Sequence, residues 1–223
     1  MSLRGEEGRS RKEREREGHR LEILAAAERV FVRDGYHGTT VESIAKEAEF
    51  AVGTLYNFFE SKEQLYAEVM ENMARDFFEA FERVVLTKKD PDETIGTLIE
   101  LRLTHFEEHR GLIRVLFEAF SGSQLGPPPR VPASLVGLYD RYVETLRKLF
   151  ERGVKDGFFE QMDPLYLALC LDGIMHAFEL YWSRHEPSEP LAVRVQKMRD
   201  GFLAGIRAKR PTPSDQGGER TVE

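Results

Sequence analysis

The chain has 223 residues, an apolar content of 41% and a formal net charge of −7. This composition is typical of a globular protein with a sizeable core, and it excludes a disordered chain. The one cysteine, Cys170, excludes an internal disulfide, and its apolar neighbours predict a buried thiol. No apolar run is long enough to span a membrane, and the N-terminus lacks the apolar stretch of a signal peptide. We therefore expect a cytoplasmic protein without a membrane partner.

Apolar periodicity and capping signals predict an all-α chain. The predicted helices cover about residues 20–34, 40–48, 52–58, 62–85, 91–109, 111–121, 133–155, 164–185 and 189–208. Gly35 is expected to end the first helix and Gly111 to separate the fifth from the sixth. Capping boxes at 39–42 and 61–64 are expected to open the second and fourth helices. The Gly- and Pro-rich segment 121–132 is predicted to be a loop.

Two of these helices are short and are separated by a turn of three residues. This arrangement predicts a helix-turn-helix, whose second helix fits the major groove of DNA. We therefore divide the chain into four parts. They are a charged flexible tail at 1–19, a helix-turn-helix DNA-binding domain at 20–66, a helical ligand-binding and dimerisation domain at 67–208, and a disordered tail at 209–223.

The candidate DNA-binding side chains lie in and beside the helix-turn-helix. Thr40 combines a hydroxyl with a helix N-terminus, which suits a phosphate. Thr54, Tyr56 and Asn57 fall on the groove side of the second helix. The Tyr56 hydroxyl can bind a phosphate and the Asn57 amide a base edge, although both side chains can also simply cover the helix surface. Lys62 lies in the first turn of the following helix, beside exposed N–H groups.

The charge of this segment gives the DNA-binding interpretation little support. Residues 1–62 carry 11 Lys and Arg against 12 Asp and Glu. Affinity for DNA must therefore come from a few well-placed cations, from helix N-termini and from the Arg-rich tail. That tail is either a solvated, frayed segment or an extension of the first helix, or else an arm that contacts phosphates or a minor groove.

The motif VESIAKEAEFAVGTLYNFFESKEQL, with the preceding GYHGTT, resembles the TetR family of transcriptional regulators over about fifty residues. The resemblance implies a three-helix DNA-binding head, and it implies the roles given above for the matching positions. It also implies that the predicted helices over 164–185 and 189–208 form a four-helix interface with a second copy of the chain. The helix over 164–185 is apolar almost all round, and the helix over 189–208 has one apolar stripe. The alternative is that these apolar surfaces form a larger core within a monomer.

The turn departs from the family pattern. The family commonly has Gly, a small apolar residue and Ser, followed by Lys or another polar residue, whereas this chain has Glu49, Phe50, Ala51 and Val52. A side chain at a position that needs a positive φ predicts mild strain, and Ala51 cannot cap the second helix. Ala51 and Val52 offer DNA only apolar contact, while Gly53 permits a close approach of the backbone.

Polar residues among the aromatic side chains of the larger domain predict a small-molecule pocket. Arg102, His105 and His109 share one helix face, and Asp172 and His176 share another with Glu179. The candidate ligand-binding residues are Arg102, His105, Phe106, His109, Phe117, Phe120, Tyr142, Asp172 and His176. An apolar or amphipathic effector is expected. The spacing of His105 and His109 also suits zinc, but no third ligand is evident, so we predict neither a metal nor a cofactor.

Together these features predict a dimeric, ligand-responsive transcriptional regulator, with a repressor favoured, that binds a pseudo-palindromic operator of double-stranded DNA. The alternative is a helical interaction protein whose head no longer reads DNA specifically. An enzyme is not expected, because no nucleophile elbow, phosphate loop or metal constellation is present in the sequence.

Overall fold

The computed structural model describes residues 10–88, 90–120 and 133–207. The described residues form eight α-helices: α1 (Arg11–Gly38), α2 (Val41–Glu47), α3 (Val52–Tyr56), α4 (Lys62–Thr87), α5 (Pro91–Phe120), α6 (Ala133–Lys155), α7 (Pro164–Arg184) and α8 (Leu191–Ile206). Their only β pairing is an isolated antiparallel bridge between Phe159 and Arg207. The predicted all-α class is therefore confirmed. The predicted loop at 121–132 and tail at 209–223 lie outside the described residues.

Helix α1 begins earlier and ends later than predicted. Ser10 caps its N-terminus in a reciprocal pair with Glu13, and Arg11 pairs with Glu15 one turn along. Residues 11–19, expected as a flexible tail, are therefore helical. Gly35 adopts a positive φ of 71°, as expected for a helix end, but the helical span continues past it to Gly38.

The predicted break between the fifth and sixth helices is a kink instead. One helix, α5, runs from Pro91 to Phe120, and His109 alone departs from helical geometry with φ −114° and ψ 19°. Gly111 does not terminate the helix. Its missing side chain serves packing, because a Cβ atom there would approach the Cγ1 atom of Val32 on α1 to 2.7 Å.

Two buried clusters organise the chain, and two helices contribute to both. The head core joins α1, α2, α3 and the first half of α4, and it also takes Leu112 and Val115 from beyond the kink of α5. The second core joins the rest of α4 and α5 with α6, α7 and α8. The predicted domain boundary after residue 66 therefore falls inside α4. No helix among the described residues is both long and apolar enough to cross a membrane.

Candidate DNA interface and effector cavity

The N-terminus of α2 is capped one residue later than the predicted box. The Thr40 hydroxyl accepts the N–H of Ser43 at 3.1 Å, and the Ser43 hydroxyl accepts the N–H of Thr40 at 3.1 Å. Thr39 is buried and donates its hydroxyl to the Gly35 carbonyl at 2.7 Å. Thr40 remains exposed, so this helix start is open to an anion from outside.

The turn between α2 and α3 shows the strain that its sequence predicts. Glu49 has a φ of 60°, the one positive φ of a residue other than glycine within the described ranges. Ala51 stands at the N-cap of α3 and makes no capping hydrogen bond through its side chain. The first turn of α3 is closed instead by the Thr54 N–H, which donates to the Ala51 carbonyl at 2.8 Å.

Helix α3 buries one side and presents the other to solvent. Leu55 is fully buried with Ile44 in the head core. Tyr56 is 53% exposed, and its exposed neighbours are Ala51, Gly53 and Asn57, with Val52 and Thr54 half-buried. A Cβ atom at Gly53 would meet nothing within 4 Å, so this backbone is open to close approach.

The core residue after α3 is Phe59 rather than Phe58. Phe58 is half-buried, whereas Phe59 is 2% exposed. The α-helix ends at Tyr56, and the chain turns so that the Phe59 N–H donates to the Leu55 carbonyl at 2.9 Å. This places Phe59 in the head core together with Leu55. The guanidinium of Arg16 lies over the Phe58 ring, 5.6 Å from the ring centre.

Lys62 points back into the protein. Its ammonium donates to the carbonyls of Tyr36 and Thr39, each at 3.0 Å, and lies 4.6 Å from the centre of the Tyr36 ring. The side chain therefore ties the start of α4 to the connection between α1 and α2. This geometry gives Lys62 a positioning role in the candidate DNA interface, because it fixes the segment that carries Thr40.

Several other cations of the head are held by carboxylates. Arg29 and Arg33 both donate to Glu47, and Arg20 pairs with Glu68. Each of these three cations is thus engaged by a carboxylate within the head. The Arg-rich first turns of α1 remain candidates for contact with DNA.

The N-terminal extension of α1 lies beside the helix-turn-helix. The ring of His19 meets that of Phe50 edge-on, with centroids 5.2 Å apart, and Arg16 covers Phe58. The sequence did not predict that His19, Arg16 and Phe50 form a group. One indication was present in the sequence: Phe50 occupies a turn position where a small residue is usual. A ring of this size needs neighbouring side chains to cover it.

A cavity of about 500 Å³ opens between α4, α5, α6 and α7. Its wall is mostly apolar, with polar groups at one end, as in typical small-molecule sites. Six of the predicted ligand-binding residues line it: Arg102, His105, Phe117, Tyr142, Asp172 and His176. The structure thus brings together the polar faces of α5 and α7 that the sequence placed on separate helices.

Three predicted ligand-binding residues are not placed on this wall. Phe106 is fully buried in the direction of Trp182, with ring centroids 6.4 Å apart. His109 lines a separate groove between α1 and α5. Phe106 directly follows His105 and so points about 100° away around α5, whereas the kink at His109 turns that side chain out of the cavity. The side chain of Phe120 lies outside the described part of the chain.

One guanidinium connects the polar residues of the cavity. Arg102 donates through Nε and Nη2 to both oxygens of Glu179, at 2.7 and 2.9 Å. Its Nη1 donates to Asp172 at 2.5 Å and to the Tyr142 hydroxyl at 2.9 Å. Tyr139 donates to the other oxygen of Asp172 at 2.9 Å. Three side chains from α6 and α7 are therefore oriented directly by a single residue of α5, and Tyr139 is held through Asp172.

Burial and these contacts shift the protonation equilibria of the cluster. Burial by itself lowers the pKa of Arg102, but Glu179, Tyr142 and Asp172 together raise it well above its ordinary value. Burial, and then the hydrogen bond to Asp172, raises the pKa of Tyr139 to about 12. Burial, and then the neighbouring His109 and Arg102, lowers the pKa of His105 to about 4. Arg102 is thus charged and His105 neutral at neutral pH.

The remaining wall comes from residues that we did not select in advance. They are Met73, Ala74, Phe77, Phe78, Ile113, Leu116, Tyr139, Gly173 and Glu179. Met73 and Phe77 are one turn apart on α4, and that periodicity indicated an inward face but not a cavity. His105 and His109 pack ring on ring with centroids 4.5 Å apart, and no described residues form a group of three potential metal ligands.

The comparisons with known proteins agree with this architecture. Residues 23–69 match the family model described as bacterial regulatory proteins, tetR family. The repressor KstR2 of Mycolicibacterium smegmatis is 30% identical over 150 residues, which cover 63% of this chain and 67% of that protein. The chain belongs to the TetR family. Members of the TetR family are transcriptional regulators, not enzymes.

Two further proteins are similar to this chain, one in sequence and one in structure. The repressor NicS of Pseudomonas putida is 28% identical over 137 residues, which cover 61% of this chain and 64%, just under two thirds, of that protein. The solved structure of the regulator FadR from Bacillus subtilis in complex with stearoyl-CoA has a TM-score of 0.70 at 21% identity. The matched region covers 84% of this chain and 99% of the FadR chain. At 21% identity, this similarity supports the fold alone.

Proposed function

We propose that the chain is a homodimeric repressor that binds a pseudo-palindromic operator and is released by an apolar or amphipathic molecule. The observation that carries the DNA-binding part is the exposed side of α3. Tyr56 and Asn57 stand clear of the head core there, and Thr40 at the N-terminus of α2 is exposed as well. An exposed second helix with hydroxyl and amide groups suits phosphate contacts and the major groove.

The dimer is proposed from α7. Its residues at 166, 169, 170, 173, 174, 177, 178 and 181 form one continuous exposed stripe of apolar and small side chains. Cys170, expected to be buried, is exposed on this stripe. A stripe of this spacing is apolar enough to need a partner, and a second copy buries both stripes in one symmetric interface.

The effector site is proposed to be the cavity of about 500 Å³. Two of its helices reach the head core: α4 through Leu65 and Val69, and α5 through Leu112 and Val115. A ligand that prefers a different spacing of α4 and α5 shifts the heads, and a preference of ~1–3 kcal/mol changes operator affinity appreciably.

The test begins with selection of bound sequences from random DNA, followed by gel shifts with Tyr56→Phe. We expect this variant to lose about fivefold in affinity uniformly across sequences, because it removes one phosphate contact. Its melting temperature should equal that of the unaltered chain, since Tyr56 is 53% exposed. Selection that recovers no shared sequence, together with unchanged retention by the variant, would favour an interaction protein without DNA specificity.

A further inference from the structure

The polar end of the cavity has spare hydrogen-bond acceptors and few spare donors. A guanidinium has five N–H groups, and those of Arg102 are directed to Glu179, Asp172 and Tyr142 in four hydrogen bonds. Each carboxylate oxygen has two acceptor sites, yet those of Asp172 and Glu179 accept one described bond apiece. An incoming donor therefore finds partners without displacing any contact.

The same cluster carries an excess of negative charge. Among the described lining residues, one guanidinium faces two carboxylates, so these three groups sum to −1. The carboxylates are poorly solvated, with 14% of the Asp172 side chain and 8% of the Glu179 side chain exposed. His105 adds no positive charge at neutral pH, because burial lowers its pKa to about 4. Burial with little water strengthens the preference for a balancing cation.

Aromatic rings surround the space next to these carboxylates. Phe77 and Phe78 of α4 meet Tyr142 of α6 with centroids 6.1 and 5.6 Å apart, and Tyr139 lies 6.1 Å from Tyr142. The faces of such rings attract cations. The apolar side chains of Met73 and Leu116 complete the wall and suit an alkyl or aryl group.

We propose that the effector is a lipophilic ammonium ion, whose charged head lies against Asp172 and Glu179 and whose apolar part lies against α4. This inference rests on the proposed function, because it names the class of molecule that the cavity of that regulator binds. A carboxylate would lie beside two anions with only the Tyr142 hydroxyl and the histidine rings as donors, or would break the buried contacts of Arg102, and both are costly. The ligand named for the FadR neighbour, stearoyl-CoA, carries anionic phosphates and belongs to a different class.

Calorimetric titration of the full chain with decylamine, decanol and decanoate tests this, because the three probes share one alkyl chain. We expect decylammonium to bind at least about tenfold more tightly than decanoate, with decanol between them. Equal or tighter binding of decanoate overturns the inference and leaves the proposed function intact. Binding of none of the three removes the cavity as the effector site of the proposed function as well.

The variant Asp172→Asn supplies an independent check. It removes one negative charge and keeps an acceptor for Tyr139, so the ratio between decylammonium and decanoate should fall about tenfold. Glu100→Gln is the matched control, since it removes the same charge from an exposed position on α5. An unchanged ratio in Asp172→Asn, or an equal fall in Glu100→Gln, contradicts the inference. The ranking in the unaltered protein decides it even where Asp172→Asn fails to fold.

Discussion

Lys62 illustrates how a cation predicted to face outward can be held by the protein's own backbone. Its sequence position, in the first turn of the helix after the helix-turn-helix, suggested a phosphate contact. The structure gives its ammonium two backbone carbonyls and the face of Tyr36 instead. A long side chain reaches several backbone groups from one position, and sequence cannot tell which of them it meets. The N-cap of α2, by contrast, was predicted to within one residue, because capping depends on local sequence.

If Lys62 positions the head, its loss should have effects that differ from the loss of a phosphate contact. Lys62→Met should destabilise the fold by about 1–3 kcal/mol, because two carbonyls lose their donor. It should weaken operator binding without changing the salt dependence of that binding. Thermal melts and gel shifts across a salt series measure both quantities.

The control for this experiment is Lys46→Met, which removes the same charge from an exposed position on α2. Its stability should stay within about 0.5 kcal/mol of the unaltered chain. A Lys62→Met protein with full stability and a salt slope reduced by about one would instead identify a direct phosphate contact.

At the scale of helices, the sequence was most informative where signals were local. Helices α6 and α7 lie close to their predicted bounds, because Asp163 and Pro164 mark the start of α7 and the apolar period of α6 is uninterrupted. Gly111 misled the prediction, because the same residue type marks a helix end or a close helix crossing. Only the packing partner, Val32 of α1, distinguishes the two, and it is distant in sequence. The six cavity residues were predicted as two helix faces, but their assembly around Arg102 was not.

The close crossing of α1 and α5 makes Gly111 sensitive to substitution. Gly111→Ala should destabilise the protein by about 1–3 kcal/mol, because the added methyl meets a β-branched side chain that has little freedom in a helix. It should also alter operator affinity, since α1 begins the DNA-binding head. Chemical denaturation and gel shifts give the two values.

Two further variants make the experiment specific. Gly137→Ala lies within α6 with nothing within 4 Å of the added atom, so it should leave stability unchanged or raise it. Val32→Ala should partly restore the Gly111→Ala protein by making room for the methyl. Equal effects of Gly111→Ala and Gly137→Ala would show that the crossing tolerates a wider spacing.

At the scale of the whole molecule, the exposed stripe of α7 predicts the oligomeric state. Light scattering should give twice the chain mass of 25.7 kDa at micromolar concentration. Ile174→Asp should produce a monomer and abolish retention of the operator, because it places a charge at the centre of the stripe and one head alone reads too few base pairs.

The matched control is Leu86→Asp, which introduces the same charge at a leucine that is 83% exposed near the end of α4. That variant should remain dimeric. A monomeric unaltered chain, or an Ile174→Asp protein that keeps its mass and its operator, would refute this arrangement of the dimer.

Helix α5 contributes side chains to both cores, and this limits how such a chain can evolve or be engineered. Because Leu112 and Val115 help to close the core of the DNA-binding head, that head is not an interchangeable module. A fragment cut after α4 would lose those two side chains and leave an apolar gap against α1. Moving the DNA-binding head into another regulator therefore requires the distal half of α5 to be moved with it, or a foreign helix that fills the same gap.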